Sequence, residues 1–208
     1  MPLLERLQFT CAICRIAAYT LYRRLCCKGN PIPKREFNIT CIGLDNSGKS
    51  SLLTLLCGED DISDISPTTG FNIRCIQVKN CILNIKEIGG GEKVREFWSH
   101  YYQGAEGVIY FVDSSETQEN LLLSREYLRK ALENNHLNSL PWLIMCNCQD
   151  KPGAKSVEEI QQIMALDKSC LFGACSIKSV QDAREACERL IEEMYRNSSP
   201  EETALNQV

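Results

Sequence analysis

Residues 43–50 read GLDNSGKS, that is Gly43-Leu44-Asp45-Asn46-Ser47-Gly48-Lys49-Ser50. The spacing is G-x-x-x-x-G-K-[ST]. Its two glycines let the backbone curl, so that successive N–H groups and the N-terminus of the next helix face an anion. Lys49 then reaches the outer phosphate oxygens of a nucleotide, and the Ser50 hydroxyl is offered to a Mg²⁺ ion. The motif requires a strand before it and a helix after it. Residues 37–42 form a short β-branched run ending at Gly43, and residues 49–57 read as a helix. A glycine-containing surface turn with a solvated lysine would need neither.

Outward from this octet the chain alternates strands and helices. Residues 71–78 and 81–88 are two strand patterns separated by Lys79-Asn80, a spacer that suggests a hairpin. GVIYFVD at 107–113 is nearly continuous apolar sequence, as expected of a central strand covered on both faces. Residues 117–134 read as a helix, 141–147 as a strand, 157–166 as a helix and 170–175 as a strand. Ala183, Ala186, Cys187, Leu190, Ile191 and Met194 then recur at helical spacing. Six strands and about five helices predict a three-layer α/β domain with a six-stranded mixed, mostly parallel sheet.

The composition agrees with one domain and excludes several classes. At 208 residues and 44% hydrophobic content the chain can build a sizeable core. A net charge of −4 argues against a broad basic face for nucleic acid. The 13 cysteines are too sparse for a small disulfide scaffold, are odd in number, and follow no secretory signal pattern, which predicts a reduced, cytosolic chain. The charge is unevenly spread. Residues 1–35 carry seven Arg or Lys against Glu5 alone, or +6, which leaves −10 for the remainder. The first segment has an apolar stripe through Leu3, Leu7, Cys11, Cys14, Ala18, Leu21 and Leu25, interrupted by Arg15 and too short for a membrane span. Gly29-Asn30-Pro31-Ile32-Pro33 reads as a linker. The expected organisation is an arm over 1–30, a nucleotide-binding domain over 31–196 and a disordered polar tail over 197–208. Cys11 and Cys14 have zinc-like spacing but no matching second pair.

Three further segments fall at expected strand ends. Asn147-Cys148-Gln149-Asp150 ends an apolar strand, where the Asp150 carboxylate can accept two hydrogen bonds from guanine N1–H and its exocyclic amine. Adenine lacks that donor pair, so such a carboxylate selects guanine. Pro67-Thr68-Thr69-Gly70 precedes the hairpin, where a hydroxyl can complete a Mg²⁺ shell. Gly89-Gly90-Gly91 follows it, able to turn an N–H toward a terminal phosphate. Each alone also fits an ordinary turn. Together, in this order, they reinforce one another.

At these residues the chain resembles the ADP-ribosylation-factor-like (Arf-like) small GTPases over about residues 30–196. GLDNSGKSSLL is similar to the family phosphate loop, PTTGFN to its first switch, and GG with FWSHYYQGAEGVIYFVDSS to its second switch and following strand. NCQDKP resembles the guanine motif, and ACS at 174–176 the last base-contacting loop. The resemblance implies a phosphate cradle at Asp45, Asn46, Ser47, Gly48, Lys49, Ser50 and Ser51, with Ser50 and Thr68 on Mg²⁺ and Gly90 sensing the γ-phosphate. It implies base recognition by Asn147, Cys148, Gln149 and Asp150, with Cys175 and Ser176 lining the base. GTP/GDP and Mg²⁺ are the implied ligands. The partners are an effector on the switch and interswitch surface, with exchange and hydrolysis-activating factors. The hairpin at 71–88 resembles the Arf interswitch, which shifts register and expels the N-terminal arm.

The departures bear on turnover. Where the family reads W-D-x-G-G-Q, this chain reads Lys86-Glu87-Ile88-Gly89-Gly90-Gly91. Glu87 is one methylene longer than aspartate, and Gly91 lacks the glutamine amide that orients water, so slow or partner-dependent hydrolysis is expected. Cys148 stands where N-K-x-D has a lysine whose stem packs on the base and whose ammonium bridges to the phosphate loop, which predicts weaker nucleotide retention. Pro2 is incompatible with N-myristoylation, and Val208 with C-terminal prenylation. Arg23-Arg24-Leu25-Cys26-Cys27-Lys28 instead offers a basic patch beside two palmitoylation candidates, Cys26 and Cys27, with an unmodified interaction helix as the alternative. The expected location is the cytoplasmic face of a membrane, with a cytosolic pool. A guanine-nucleotide switch is the leading expectation. A pseudo-GTPase acting as an interaction module is the runner-up, and a P-loop kinase is disfavoured because no acceptor domain or lid is evident.

Overall fold

A computed structural model of the chain describes Arg15 and residues 34–59 and 61–197. The chain forms β1 (Arg35–Gly43), α1 (Lys49–Leu56), β2 (Phe71–Val78), β3 (Cys81–Ile88), the one-turn α2 (Glu92–Arg95), a 3₁₀ turn (Trp98–Tyr101) and β4 (Gly107–Asp113). It continues through α3 (Gln118–Leu132), β5 (Trp142–Asn147), α4 (Val157–Met164), β6 (Leu171–Ala174) and α5 (Val180–Asn197). The sheet order is β2-β3-β1-β4-β5-β6. β2 and β3 are the antiparallel hairpin, and every other neighbouring pair is parallel. This is the mixed six-stranded, three-layer arrangement that the alternation of patterns predicts.

Period-two alternation divides the core between the two faces of the sheet. Phe37, Ile39 and Cys41 of β1, Ile109 and Phe111 of β4, and Leu143 and Met145 of β5 pack with Leu52, Leu53 and Leu56 of α1 and with Ala183, Ala186, Cys187, Leu190 and Met194 of α5. Val108, Tyr110 and Val112, with Trp142, Ile144 and Cys146, face the opposite way onto Leu121 and Leu128 of α3 and Ile160 and Met164 of α4. β4 is buried at all seven positions, as a strand covered on both faces must be.

Element ends differ from expectation where polar contacts outweigh hydrophobic pattern. β1 begins at Arg35, because Arg35 and Glu36 already pair with Cys81 and Ile82 of β3 although neither is apolar. α3 starts after Thr117, whose hydroxyl accepts from the Asn120 N–H. α4 opens on a capping box between Ser156 and Glu159, and stops at Met164 because Ala165 adopts a left-handed conformation. α5 extends through Asn197, the first residue assigned above to the tail. The rest of that tail, the arm over 1–30 apart from Arg15, and both lipidation candidates lie outside the described residues.

β1 is where the connections diverge: the chain leaves it for β2 and β3 on one side and for β4 on the other. In an open α/β sheet such a divergence leaves a crevice at the carboxyl ends of the strands. Gly43, at the end of β1, opens into it.

Candidate functional site

The 43–50 loop wraps the first turn of α1. Gly48 caps the helix with φ 76°, a left-handed backbone that glycine adopts without penalty, and its carbonyl accepts from the Leu52 N–H at 3.0 Å. The Lys49 side chain runs back under the loop. Its Nζ donates to the carbonyls of Gly43 at 3.0 Å and Leu44 at 2.7 Å, and to Ser47 Oγ at 3.3 Å. Burial pulls this ammonium below the ordinary lysine range, against the smaller opposing pull of Cys41, Glu87 and Asp45. A buried cation held only by neutral acceptors gains strongly from an anion brought to it. Asp45, Asn46, Gly48, Lys49, Ser50 and Ser51 border a cavity of about 580 Å³, closed on the far side by Thr68, Gly90, Gly91 and Lys93.

At the α1 end of that cavity Ser50 Oγ stands 3.5 Å from Thr68 Oγ1 and donates to the Glu87 carboxylate. Glu87 is fully buried. Its other oxygen meets Arg74 Nε at 3.4 Å. Two hydroxyls and a carboxylate are the hard oxygen donors that suit Mg²⁺. Among the described residues no three His, Cys, Asp or Glu side chains cluster to hold a metal.

Gly90 touches the phosphate loop. Its carbonyl accepts from the Asp45 N–H at 3.1 Å, and a Cβ on Gly90 would collide with backbone atoms of Leu44 and Asp45. Gly89 is pinned on both sides, its N–H to Gly70 O at 2.8 Å and its carbonyl to Trp98 Nε1 at 2.9 Å. His100 lies in the 3₁₀ turn beyond, its ring 5.9 Å from that of Phe97.

The second arm of the site comes from β5. Asn147 is buried, and its Nδ2 donates to the Ser47 carbonyl at 2.9 Å, which ties the base segment to the phosphate loop. Cys175 is also buried, with its Sγ donating to Asn147 Oδ1 at 3.6 Å. Its carbonyl accepts from the Gln149 N–H at 3.2 Å, so the 147–150 and 174–176 segments join. Gln149 Nε2 donates to Ser114 Oγ at 2.8 Å and to the Lys155 carbonyl at 3.0 Å, so this side chain is bound into the scaffold. Ser176 is likewise engaged, its Oγ accepting from the N–H groups of Lys178 and Ser179. Asp150 faces Lys178 at 3.3 Å. Cys148 has φ 63°, and its half-buried thiol is pushed up to about 11 by burial and then by Asp113.

The phosphate-loop and switch residues singled out by motif thus share one cavity, and the base segment is tied to their loop through the Asn147 bond to the Ser47 carbonyl. Three residues to which the motifs give no role make contacts beside these segments. Arg74 escapes notice because it meets Glu87 diagonally across the hairpin, two residues along β2 from Asn72, the direct partner of Glu87. Asp113 and Lys151 pair at 2.8 Å beside Cys148. The only sequence signal for that pair is a cation three residues after a missing one.

Comparison with known proteins follows this geometry. Residues 26–194 match the ADP-ribosylation factor family model. ADP-ribosylation factor-like protein 15 of Bos taurus is 42% identical over 178 residues, covering 83% of this chain and 88% of that protein; the Homo sapiens protein is equally identical, with 87% of it covered. ADP-ribosylation factor-like protein 14 of Mus musculus is 38% identical over 142 residues, 68% of this chain and 73% of that one. The solved structure of the Arl6 BBS3 small GTPase from Trypanosoma brucei, with bound nucleotide analogue GppNp, superposes with a TM-score of 0.70 at 24% identity. It covers 78% of this chain and 99% of its own, a likeness of fold.

Proposed function

Since the chain belongs to the ADP-ribosylation factor family, we propose that it is a guanine-nucleotide switch whose triphosphate form presents the hairpin and the 89–101 segment to an effector. The observation that carries this is the Asn147 bond to the Ser47 carbonyl. It ties a guanine-type segment directly to a phosphate loop.

Within that site the chain's own groups have separable tasks. The N–H groups of the 45–50 loop and the Lys49 ammonium hold phosphate oxygens. Asp150 turns from Lys178 to the paired donors of guanine, a cheap exchange because Lys178 is largely exposed. Ser50 and Thr68 are the residues that would hold Mg²⁺, with Glu87 orienting the Ser50 hydroxyl and Arg74 fixing Glu87. A Mg²⁺ ion held there would supply charge neutralisation for the phosphates. Thr68 and Gly90, one on each switch segment, border the same cavity, so a terminal phosphate there draws both segments together.

Hydrolysis by this chain alone is slow, because Gly91 carries no group to orient water. An arginine or water-orienting side chain from a partner completes the site. The same observation favours a second reading, a nucleotide-binding interaction module with no useful turnover. Arm residues 1–30, with Cys26 and Cys27 acylated, hold the protein to a cytoplasmic membrane face, and exchange and hydrolysis-activating factors set its state. Titration of full-length protein with fluorescent GTP, GDP and ATP, with and without Mg²⁺, tests the assignment. Micromolar, Mg²⁺-dependent GTP binding at least tenfold tighter than ATP, a margin that unpaired polar groups at the base edge exceed elsewhere, is the expected result. Equal affinity for GTP and ATP overturns it.

A further inference from the structure

Cys148 leaves the base segment without a cation at its second position, yet a cation reaches the same corner from the fifth. The Lys151 N–H donates to the Cys148 carbonyl at 3.0 Å, closing a four-residue turn that brings the Lys151 side chain back beside Cys148. Its Nζ ends 2.8 Å from Asp113 Oδ2. Asp113 is the last residue of β4, directly paired with Asn147, and its side chain is only 5% exposed. Asp113 also lines a cavity of about 270 Å³ together with Asp45, Asn46 and Ser47 of the phosphate loop. Three neighbours therefore meet here: the outer wall of the phosphate loop, the residue that ties it to the base segment, and a lysine ammonium.

We propose that Lys151 is the positioning cation of the base site, doing from the far end of the turn what a lysine at position 148 would do, and resting on the guanine-nucleotide assignment above. Cys148 has a left-handed backbone and a short side chain at the head of the turn that Lys151 closes. The electrostatics agree. Burial opposes ionisation of Asp113, yet the Lys151 bond and the Ser115 bonds together hold its carboxyl below the usual range, and the same bond with Asp113 raises the Lys151 ammonium. Lys151 itself is half exposed, so the pair contributes little to folding, and its value lies in an ammonium fixed against Asp113, the strand neighbour of Asn147. The loss of nucleotide retention expected from Cys148 alone is offset.

The test follows dissociation of mant-GDP from the full-length, Mg²⁺-loaded protein. K151L is expected to release it about tenfold faster, the scale of one charge-assisted hydrogen bond, with its thermal unfolding midpoint nearly unchanged. The double variant C148K/K151L, which returns the cation to the second position, is expected to restore slow release. An unchanged rate in K151L overturns the proposal while leaving the nucleotide assignment intact. Faster release that C148K fails to rescue assigns Lys151 a purely structural role and overturns it as well. Failure of the wild-type chain to hold mant-GDP in preference to mant-ADP removes the guanine assignment itself, and this proposal with it.

Discussion

Gly90 and Gly91 differ in what a side chain would meet. A methyl on Gly90 runs into the backbone of the phosphate loop, so contact between switch and loop depends on its absence. Gly91 faces open space, with nothing within 4 Å of its Cβ direction, and its φ of −64° suits any residue. Nothing in the fold therefore excludes a glutamine at 91, a position that borders the same cavity as Lys49, Ser50 and Thr68. G91Q is expected to raise single-turnover GTP hydrolysis by at least about tenfold, part of the 10²–10³ that one positioned group supplies elsewhere. Glu87 in place of aspartate keeps the gain partial. An unaltered single-turnover rate in a G91Q protein that binds GTP normally would mean that water orientation is not the missing element. At this scale the motif residues were legible, because the backbone chemistry of a phosphate cradle dictates their spacing. The pairings of Arg74, Asp113 and Lys151 were not. Their roles arise from a diagonal across an antiparallel pair and from a four-residue turn, relations that no linear spacing records.

The hairpin is the element whose two faces differ most. Ile76 and Val78 of β2 are buried under α1 and α5, whereas Phe71 and Ile73 stand exposed at 47% and 65% beside the switch segments. One strand thus serves the core at one end and offers an apolar surface at the other. I76A is expected to cost about 2–4 kcal/mol, the usual range for truncating a buried isoleucine. I73A should change stability by no more than about 0.5 kcal/mol. Urea unfolding of the two variants checks the contrast, and equal losses would show that β2 lies otherwise on the domain. The same alternation constrains the interswitch movement that the family resemblance implies. A slip of one residue along β1 would expose Leu83 and Ile85 of β3, both fully buried, so any slide of the hairpin must go in steps of two. The fold was legible at this scale wherever burial was one-sided or complete, as in β4 and α5. It was less so at element ends such as Arg35 and Ala165, where ladder pairing and a left-handed residue decide.

Over the whole molecule the charge divides between a basic first segment and an acidic remainder, as the proposed attachment through the arm requires. Residues 36–208 carry −10, which an anionic lipid surface repels, while residues 1–35 carry +6. Basic residues near such a surface contribute about 1 kcal/mol each, within a screening length of about 8–10 Å. Arg23, Arg24 and Lys28 alone would therefore give salt-sensitive, reversible binding. One acyl chain adds marginal affinity, and a second chain beside a basic patch makes the attachment stable. Cys26 and Cys27 sit inside that patch, so both requirements can be met within six residues, 23–28. Replacing both by serine keeps the charge and removes the thiols. C26S/C27S is expected to move the membrane-bound pool into the soluble fraction on cell fractionation. Either single variant is expected to fall between the double variant and the wild type, and to be released by high-salt washing. A double variant distributed like the wild type would mean that the arm holds without thioester-linked chains. The residues proposed to bind nucleotide all lie within 36–208, so GTP affinity of the purified double variant should match the wild type, which separates loss of the anchor from loss of the switch.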